Sequence, residues 1–213
     1  MNHSKLLAIL TLGVAVVFGG LGLTRHMVAT AGEADAQRLS RSILEYIAER
    51  NPKAPIRVFK HFPETLLAEA QKSNLDHCLV LAQAEIESEF KHDAVGAAGE
   101  IGLFQILPST AVIIEPLVGG SFKRPTKTTL GDLADPNVSA KFALAYLRDI
   151  MKRKPNVRDA LTEYNGGPNG RHPHYYRLVM GTYVEVLEHS QLLCRFREMP
   201  KQPPLLTAFV TRS

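Results

Sequence analysis

The stretch D-H-C-L-V-L-A-Q-A-E-I-E-S-E-F, residues 76–90, decides the fold, because its periodicity predicts a helix with one apolar side and one solvated face. Asp76 is a suitable N-cap, since its side chain can accept a hydrogen bond from a free backbone N–H of the first turn. At about 100° per residue, Val80 and Ala84 fall on the apolar side of this helix. Glu87, near the end of the helix, falls on the same side. A carboxylate on that side needs an explanation.

The three glutamates of this helix are not equivalent. Glu85 and Glu89 fall on the face opposite Glu87, and we expect both to be solvated. An isolated carboxylate among apolar side chains is costly when ionised, so the pKa of Glu87 should rise and let it donate a proton near neutral pH. The alternative is a structural glutamate that caps a neighbouring helix or pairs with an arginine such as Arg148. The helix taken alone favours this alternative.

The rest of the chain predicts more helices and one short extended patch, which indicates a mainly α fold. Helical periodicity and capping residues predict helices over residues 33–50, 64–73, 77–90, 137–153 and 174–193. Another helix should open at Pro108 and break at Glu115-Pro116. Glycines at 96, 99 and 102 lead into the extended patch at residues 103–107.

The two ends of the chain differ from its middle. Residues 6–23 carry no charge and approach the roughly 20 residues that span a bilayer, whereas the apolar part of a signal peptide has about 7–15. Ala29-Thr30-Ala31 offers a cleavage site, so an anchor and a cleaved signal both stay open, and both export the rest. We therefore assign the chain as follows: residues 1–31 signal peptide or membrane anchor, 32–62 helical arm and linker, 63–194 compact domain, and 195–213 proline-containing tail.

Composition and charge restrict the partners and cofactors. The chain has 25 Lys+Arg against 21 Asp+Glu, and it lacks a dense basic run and a cluster of stacking aromatics, so we expect no nucleic-acid partner. His172-Pro173-His174 has no cysteine or carboxylate at ligand spacing beside it, so we expect no metal and no cofactor. Cys78 and Cys194 could pair in an oxidising compartment, but nothing in the sequence brings them together, and we expect two separate thiols.

Four segments carry a family resemblance. They are E-S-E-F at residues 87–90, G-L-F-Q-I-L-P-S-T-A at 102–111, Asp135-Pro136 before Tyr146-Leu147, and E-Y-N-G-G at 163–167. In this order they resemble the E-S-x-F, G-L-M-Q-x-x-P-x-T-A, D-P…Y-L and A-Y-N-A-G segments of the lysozyme-like lytic transglycosylases of the soluble type, the SLT domain. The resemblance spans residues 65–187, and it implies a lysozyme-like fold that acts on peptidoglycan glycan strands.

The resemblance also implies roles for single residues. Glu87 matches the catalytic acid–base of the family, and this outweighs the structural alternative. Ser88 and Gln105 match positions that line the sugar site near the cleaved bond. Tyr164 and Asn165 match the pair that faces the catalytic glutamate, where an amide can bind hydroxyl and N-acetyl groups and a tyrosine offers a flat surface with a polar tip.

The implied reaction consumes no water. A family member uses one glutamate to protonate the leaving oxygen and then to deprotonate the muramic acid 6-hydroxyl, which closes a 1,6-anhydro ring. Two-carboxylate glycosidases need a second acid, but Gly96 and Ala98 stand where E-x8-D spacing would place it after Glu87 and Glu89. Glu100 departs from the small residue usual at its position, and we expect it to point to solvent. If it approached the cleft instead, it could act as a second carboxylate, with Asp93 a more remote candidate, and the enzyme would be a hydrolytic muramidase.

A third hypothesis is a non-catalytic subunit of an envelope-crossing secretion or conjugation machine that binds the wall without cutting it. The presence of Glu87, Gln105 and Tyr164-Asn165 argues against it. The partners expected from the sequence are therefore peptidoglycan strands, the inner membrane through residues 6–23, and an envelope-spanning machine. All three agree with a location in the periplasm or cell envelope.

Overall fold

Helices account for most of the described chain, as the sequence predicts. The computed structural model describes residues 33–170, 173–189 and 193–194. Within these residues the helices are α1 (33–50), α2 (Phe62–Ser73), α3 (His77–Ser88), α4 (Pro108–Val118), α5 (Pro136–Met151), α6 (Val157–Gly166) and α7 (Pro173–His189). Short 3₁₀ turns cover Ile56–Phe59 and Gly131–Ala134.

Among the described residues, the chain divides into two units between Arg41 and Ser42. No helix in the described part of the chain is both long enough and apolar enough to cross a bilayer. The predicted signal or anchor at residues 1–31 and the tail at 195–213 lie outside the described residues. The domain boundaries inferred from the sequence stay predictions.

The second half of α1 belongs to the core and changes the surroundings of Glu85. Ile43, Tyr46 and Ile47 are almost completely buried. The Tyr46 hydroxyl donates to Glu85 Oε2 at 2.5 Å, and the Arg50 guanidinium donates to Glu85 Oε1. Glu85 is therefore buried, and our expectation of a solvated side chain was wrong. The pattern of α3 showed which face carries Glu85, but it could not show that α1 covers that face.

The central helix, α3, begins as predicted and ends earlier. The Asp76 side chain accepts from the backbone N–H of Cys78 at 2.9 Å and caps the first turn. The helix ends at Ser88, because Glu89 and Phe90 both adopt left-handed backbone conformations, with φ of 51° and 57°. Glu89 is exposed, as expected. The early end places Glu87 in the last turn of α3.

A disulfide links the start of α3 to the segment after α7. Cys78 and Cys194 are bonded, with their Cα atoms 6.0 Å apart, so our expectation of two separate thiols was wrong. The physical reason is the packing of α7 along α3, which returns the chain to the beginning of α3. That pairing of helices could not be deduced from the cysteine spacing.

The extended patch predicted at residues 103–107 is mostly a turn, because Gly102 and Gln105 adopt positive φ, and only isolated bridges lie on either side of residues 102–105. Ile101 pairs with Val95 and with Ile106 in antiparallel bridges, and the described residues contain no longer strand. The backbone N–H groups of Ile101 and Ile106 each donate to the other residue's carbonyl at 3.0 Å. The patch forms a tight loop between α3 and α4, and it supplies one wall of the cleft described below.

Helix α4 corrects a predicted break. We expected Pro116 to end the helix, but α4 continues to Val118. A proline removes the hydrogen bond to the carbonyl four residues earlier, here that of Val112. Val112 lies at the surface, 40% exposed, so water can hydrate that carbonyl and the last turn survives.

A charge cluster with a buried glutamate connects α6 to the segment between α5 and α6. Asp135 caps α5 by accepting from the N–H groups of Asn137 and Val138, as the D-P pattern indicates. Glu163 of α6 is 2% exposed and forms ion pairs with Arg153 and, at 2.8 Å, with Lys154. Although burial raises the pKa of Glu163, the hydrogen bonds from Lys154 and Arg153 outweigh this and lower it. The cluster fixes the turn of α6 that presents the next two residues, Tyr164 and Asn165.

Candidate active site

A cleft of about 550 Å³ opens where the end of α3, the extended patch, the start of α4, α5 and the end of α6 meet. Four of the five residues predicted for the site lie in its lining, although they come from three separate segments. The lining residues that carry the chemistry discussed below are Glu87, Glu100, Gln105, Tyr146, Tyr164 and Asn165.

Glu87 has the properties of a proton donor. The pKa of its carboxyl is raised from the usual 4.5 to about 7. Burial is the main cause, and the negative charge of Glu100 contributes to the same increase. A hydrogen bond from Tyr175 acts in the opposite direction. The carboxyl is thus close to half protonated at neutral pH, as its position on the apolar side of α3 led us to expect. It can therefore give up and take back a proton in one reaction cycle.

Tyr175 is the contact to Glu87 that sequence reasoning missed. Its hydroxyl donates to Glu87 Oε1 at 2.5 Å, and the residue is 6% exposed. Burial and the charge of Glu87 raise the pKa of this hydroxyl well above its usual value, so it stays a donor. One signal was available, because Tyr175, Val179, Thr182 and Val186 follow helical spacing and all are buried in the structure. That spacing identifies the inner face of α7 but not the side chain it meets.

Replacing Tyr175 with phenylalanine should raise the pKa of Glu87 above about 7. The hydroxyl stabilises the ionised carboxylate, so its loss favours the protonated form. The pKa can be followed by ¹³C NMR titration of the Glu87 carboxyl carbon. Tyr164→Phe is the matched control and should leave the titration nearly unchanged. An unchanged or lower pKa in Tyr175→Phe would contradict the assignment.

Tyr164 lines the cleft but does not hold Glu87. Its hydroxyl donates to the backbone carbonyl of Phe104 at 2.9 Å, and its ring packs against Tyr146 with centroids 5.4 Å apart. The resemblance implies only that this tyrosine faces the glutamate, and the hydrogen bond to Glu87 comes from Tyr175. Asn165 follows at the rim, exposed, with its amide available to a ligand.

Ser88 and Gln105 have different positions in the structure. The Ser88 hydroxyl lies 2.9 Å from the Leu103 carbonyl and 3.1 Å from that of Ala84, so it is directed at backbone rather than into the cleft. Gln105 lines the cleft, and its amide nitrogen donates to the carbonyls of Gly102 and Ala94 at 2.8 and 3.2 Å. These two hydrogen bonds orient the Gln105 amide through its nitrogen. The amide oxygen takes no part in them and lies next to Gly96.

Glu100 is the second acidic residue of the cleft, and our expectation that it points to solvent was wrong. It lines the cleft, and its carboxylate accepts from the backbone N–H of Ala98 at 3.0 Å. A side chain at Gly96 would overlap this carboxylate, so glycine there makes room for it. Asp93, the other candidate, is exposed and does not belong to the lining.

Among the described residues, one group of side chains has the donor atoms for a metal ion, but it lies outside the cleft and its atoms make other bonds. Asp76, His77 and Cys78 bring three donor atoms close together. The sulfur of Cys78 is in the disulfide, and Asp76 caps α3 and accepts from the Tyr183 hydroxyl. His172 of the H-P-H segment lies outside the described residues.

Comparison with known proteins agrees with this arrangement. Membrane-bound lytic murein transglycosylase C of Photorhabdus laumondii subsp. laumondii is 31% identical over 118 residues. The match covers 52% of this chain and 32% of that protein, so the chain corresponds to about a third of the relative's length. The family model of the transglycosylase SLT domain matches residues 64–174, more than half of the chain and all of the cleft. The chain therefore belongs to the transglycosylase SLT domain family.

Proposed function

We propose that this chain is a peptidoglycan lytic transglycosylase. It cleaves the β-1,4 bond between N-acetylmuramic acid and N-acetylglucosamine and leaves 1,6-anhydro-muramic acid ends, with Glu87 as the sole acid–base. The observation that carries the proposal is a glutamate with a pKa of about 7, hydrogen-bonded by a buried tyrosine, in the cleft of an SLT domain.

The reaction needs one proton to travel to and from Glu87. Protonated Glu87 gives its proton to the glycosidic oxygen as the bond to C1 of the muramic acid breaks. The acetamido carbonyl of the same sugar stabilises the positive charge at C1. The Glu87 carboxylate then takes the proton of the 6-hydroxyl while O6 bonds to C1, so the glutamate regains its starting state and no water is used.

The other cleft residues fit supporting roles in this reaction. Gln105 and Asn165 offer amide groups for sugar hydroxyl and N-acetyl groups, and Tyr146 and Tyr164 offer ring faces. Tyr175 orients the Glu87 carboxyl through one oxygen, which leaves the other for the substrate. Ser88 donates to the carbonyl of the buried Leu103, two residues before Gln105, and so supports the segment that carries Gln105.

The product ends test the proposal. Purified sacculi digested with the chain should release muropeptides whose masses correspond to anhydro ends. In H₂¹⁸O, these products should contain no label. Reducing ends that carry ¹⁸O would overturn the lytic reaction and identify a hydrolase.

A hydrolytic muramidase is the second candidate, and the position of Glu100 in the cleft favours it. In that reaction Glu87 remains the acid and Glu100 acts as the second carboxylate. Reducing ends that disappear on Glu100→Gln and persist on Asp93→Asn would establish this function.

In the lytic reaction, Glu100→Gln should retain anhydro products but lower the pKa of Glu87. Removal of the neighbouring negative charge makes ionisation of Glu87 easier, so activity should decline at a lower pH than in the wild type. The pH dependence of muropeptide release measures the shift, and Asp93→Asn should follow the wild-type curve. An upward shift in Glu100→Gln would contradict the electrostatic role.

We also place the protein in the cell envelope, with the inner membrane and an envelope-spanning secretion or conjugation machine as further partners. The uncharged run at residues 6–23 and the Cys78–Cys194 disulfide, a bond typical of oxidising compartments, support export. The relative's name describes it as membrane-bound. Cell fractionation with antibodies against the chain tests the location.

A further inference from the structure

An uncharged strip of exposed side chains runs along α4 beside the cleft. We define this apolar strip as Val112, Ile113, Pro116 and Leu117; Ile113 is 73% exposed, and Val112 and Leu117 are 40% and 42% exposed. At about 100° per residue the four lie on the outer face of the helix. Aliphatic side chains grouped at this exposure mark a surface that is covered by something.

A set of exposed cations lies on one side of the strip. We define the basic loop as Lys123, Arg124 and Lys127, all exposed. Arg124 reaches back to Glu115 of α4 at 3.3 Å, which places the loop next to the Val112 edge of the strip. The loop is held in place by Phe122, whose ring packs on Phe142 with centroids 4.8 Å apart.

The two acidic groups beside the strip, Glu115 and Asp132, already have partners. Glu115 is paired with Arg124, and the Asp132 carboxylate accepts from the backbone N–H of Lys123 at 2.7 Å. The surface therefore shows aliphatic side chains flanked by the exposed Lys123 and Lys127, whereas the charge of Arg124 is offset by Glu115. This combination is typical of helices that lie in the interface of an anionic bilayer.

We propose that the apolar strip and the basic loop dock on the surface of an anionic lipid bilayer. Charge argues against the other occupants. A second copy would add a second basic loop to the same contact, and the tail at residues 195–213 is itself rich in arginine and lysine, so neither offers a complementary negative charge.

Docking would orient the cleft as well as bind the domain. Thr110 lines the cleft and lies on the side of α4 opposite to the basic loop, at the Leu117 edge of the strip. The cleft would then open next to the bilayer surface. This inference does not depend on the chemistry at Glu87.

A fluorescent label on the strip tests the proposal in the full chain. Ile113→Cys, and separately Leu117→Cys, would carry an environment-sensitive dye, since both native cysteines are in the disulfide. In vesicles of phosphatidylcholine mixed with phosphatidylglycerol, the dye emission should shift to the blue, and aqueous iodide should quench it several-fold less. Leu178→Cys, on an exposed position of α7, is the matched control and should stay open to iodide.

The charge dependence completes the test. Lys123→Glu with Lys127→Glu should reduce the docked population on the order of tenfold or more, because each cation near an anionic surface contributes about 1 kcal/mol. Equal quenching at 113 and 178 in all vesicles would overturn the proposal. The proposal would also be wrong if the dye at 113 were protected equally well in pure phosphatidylcholine as in the anionic vesicles, which would indicate a neutral lipid surface. Equal protection without any vesicles would indicate a protein contact. Glu87→Gln should dock like the wild type, so failed docking and failed glycan cleavage are separate results.

Discussion

Replacing Glu87 with glutamine should lower the rate of glycan cleavage about 10²–10⁴-fold, the range expected when a general acid–base is removed. Glutamine keeps the size of the side chain and can still accept the hydrogen bond from Tyr175, but it cannot donate a proton to the glycosidic oxygen. The rate is measured as soluble muropeptides released from sacculi. Glu89→Gln is the matched control, since Glu89 is exposed and only pairs with Lys91, and it should retain wild-type activity.

The same substitution should stabilise the fold at alkaline pH. The pKa of Glu87 in the folded chain, about 7, lies above its usual value of 4.5. Below pH 4.5 the carboxyl is protonated in both the folded and the unfolded chain, so it does not lower the free energy of unfolding. As pH rises through 4.5 towards 7 and beyond, ionisation favours the unfolded chain, by about 3 kcal/mol at most and less because the carboxyl is partly exposed.

Glu87→Gln removes this cost, because an amide does not ionise. At pH 8 the variant should therefore be more stable than the wild type by about 1–3 kcal/mol, and near pH 4 the two should be equal. Urea unfolding at both pH values measures the difference. A variant less stable than the wild type at pH 8, or one that keeps activity, would show that Glu87 is a structural residue.

The sequence separated Glu87 from its neighbours only in part. Helical periodicity placed Glu87 on the apolar side and Glu89 on the exposed side, and both positions are correct. The same geometry failed for Glu85, because periodicity describes one helix and α1 covers the face that appeared open. A single-helix argument identifies which residues share a face, but the environment of that face depends on helices that lie far away in the chain.

Contacts made across the fold explain the remaining errors. Tyr175 meets Glu87 and Cys194 meets Cys78 because α7 lies along α3, and no local pattern reports that packing. Glu100 enters the cleft because Gly96 leaves room for its carboxylate and the Ala98 N–H holds it there. The G-L-F-Q and E-Y-N segments both contribute to the cleft wall, through Gln105, Tyr164 and Asn165.

Replacing Gly102 with alanine should destabilise the domain by about 2–5 kcal/mol and lower its midpoint of thermal unfolding by roughly 5–20 °C. Gly102 has φ of 86°, a conformation that costs alanine about 1–2 kcal/mol. The new Cβ would also overlap the Leu133 carbonyl oxygen and lie 3.0 Å from its carbon and 3.2 Å from Ser139 Oγ. Overpacking against backbone adds about 1–3 kcal/mol, since no side chain can rotate away.

The chain around Gly102 cannot move aside without damage to the cleft. Its N–H donates to the Ala94 carbonyl at 2.9 Å, and its carbonyl accepts from the Gln105 side chain at 2.8 Å. A shift would therefore displace Gln105, so activity should fall together with stability. Gly99→Ala separates the two causes, because Gly99 has φ of 90° but nothing lies within 4 Å of its Cβ position. It should lose only the conformational cost of about 1–2 kcal/mol and keep its activity, and equal losses in the two variants would mean that backbone conformation, rather than the contact with Leu133, makes glycine necessary at position 102.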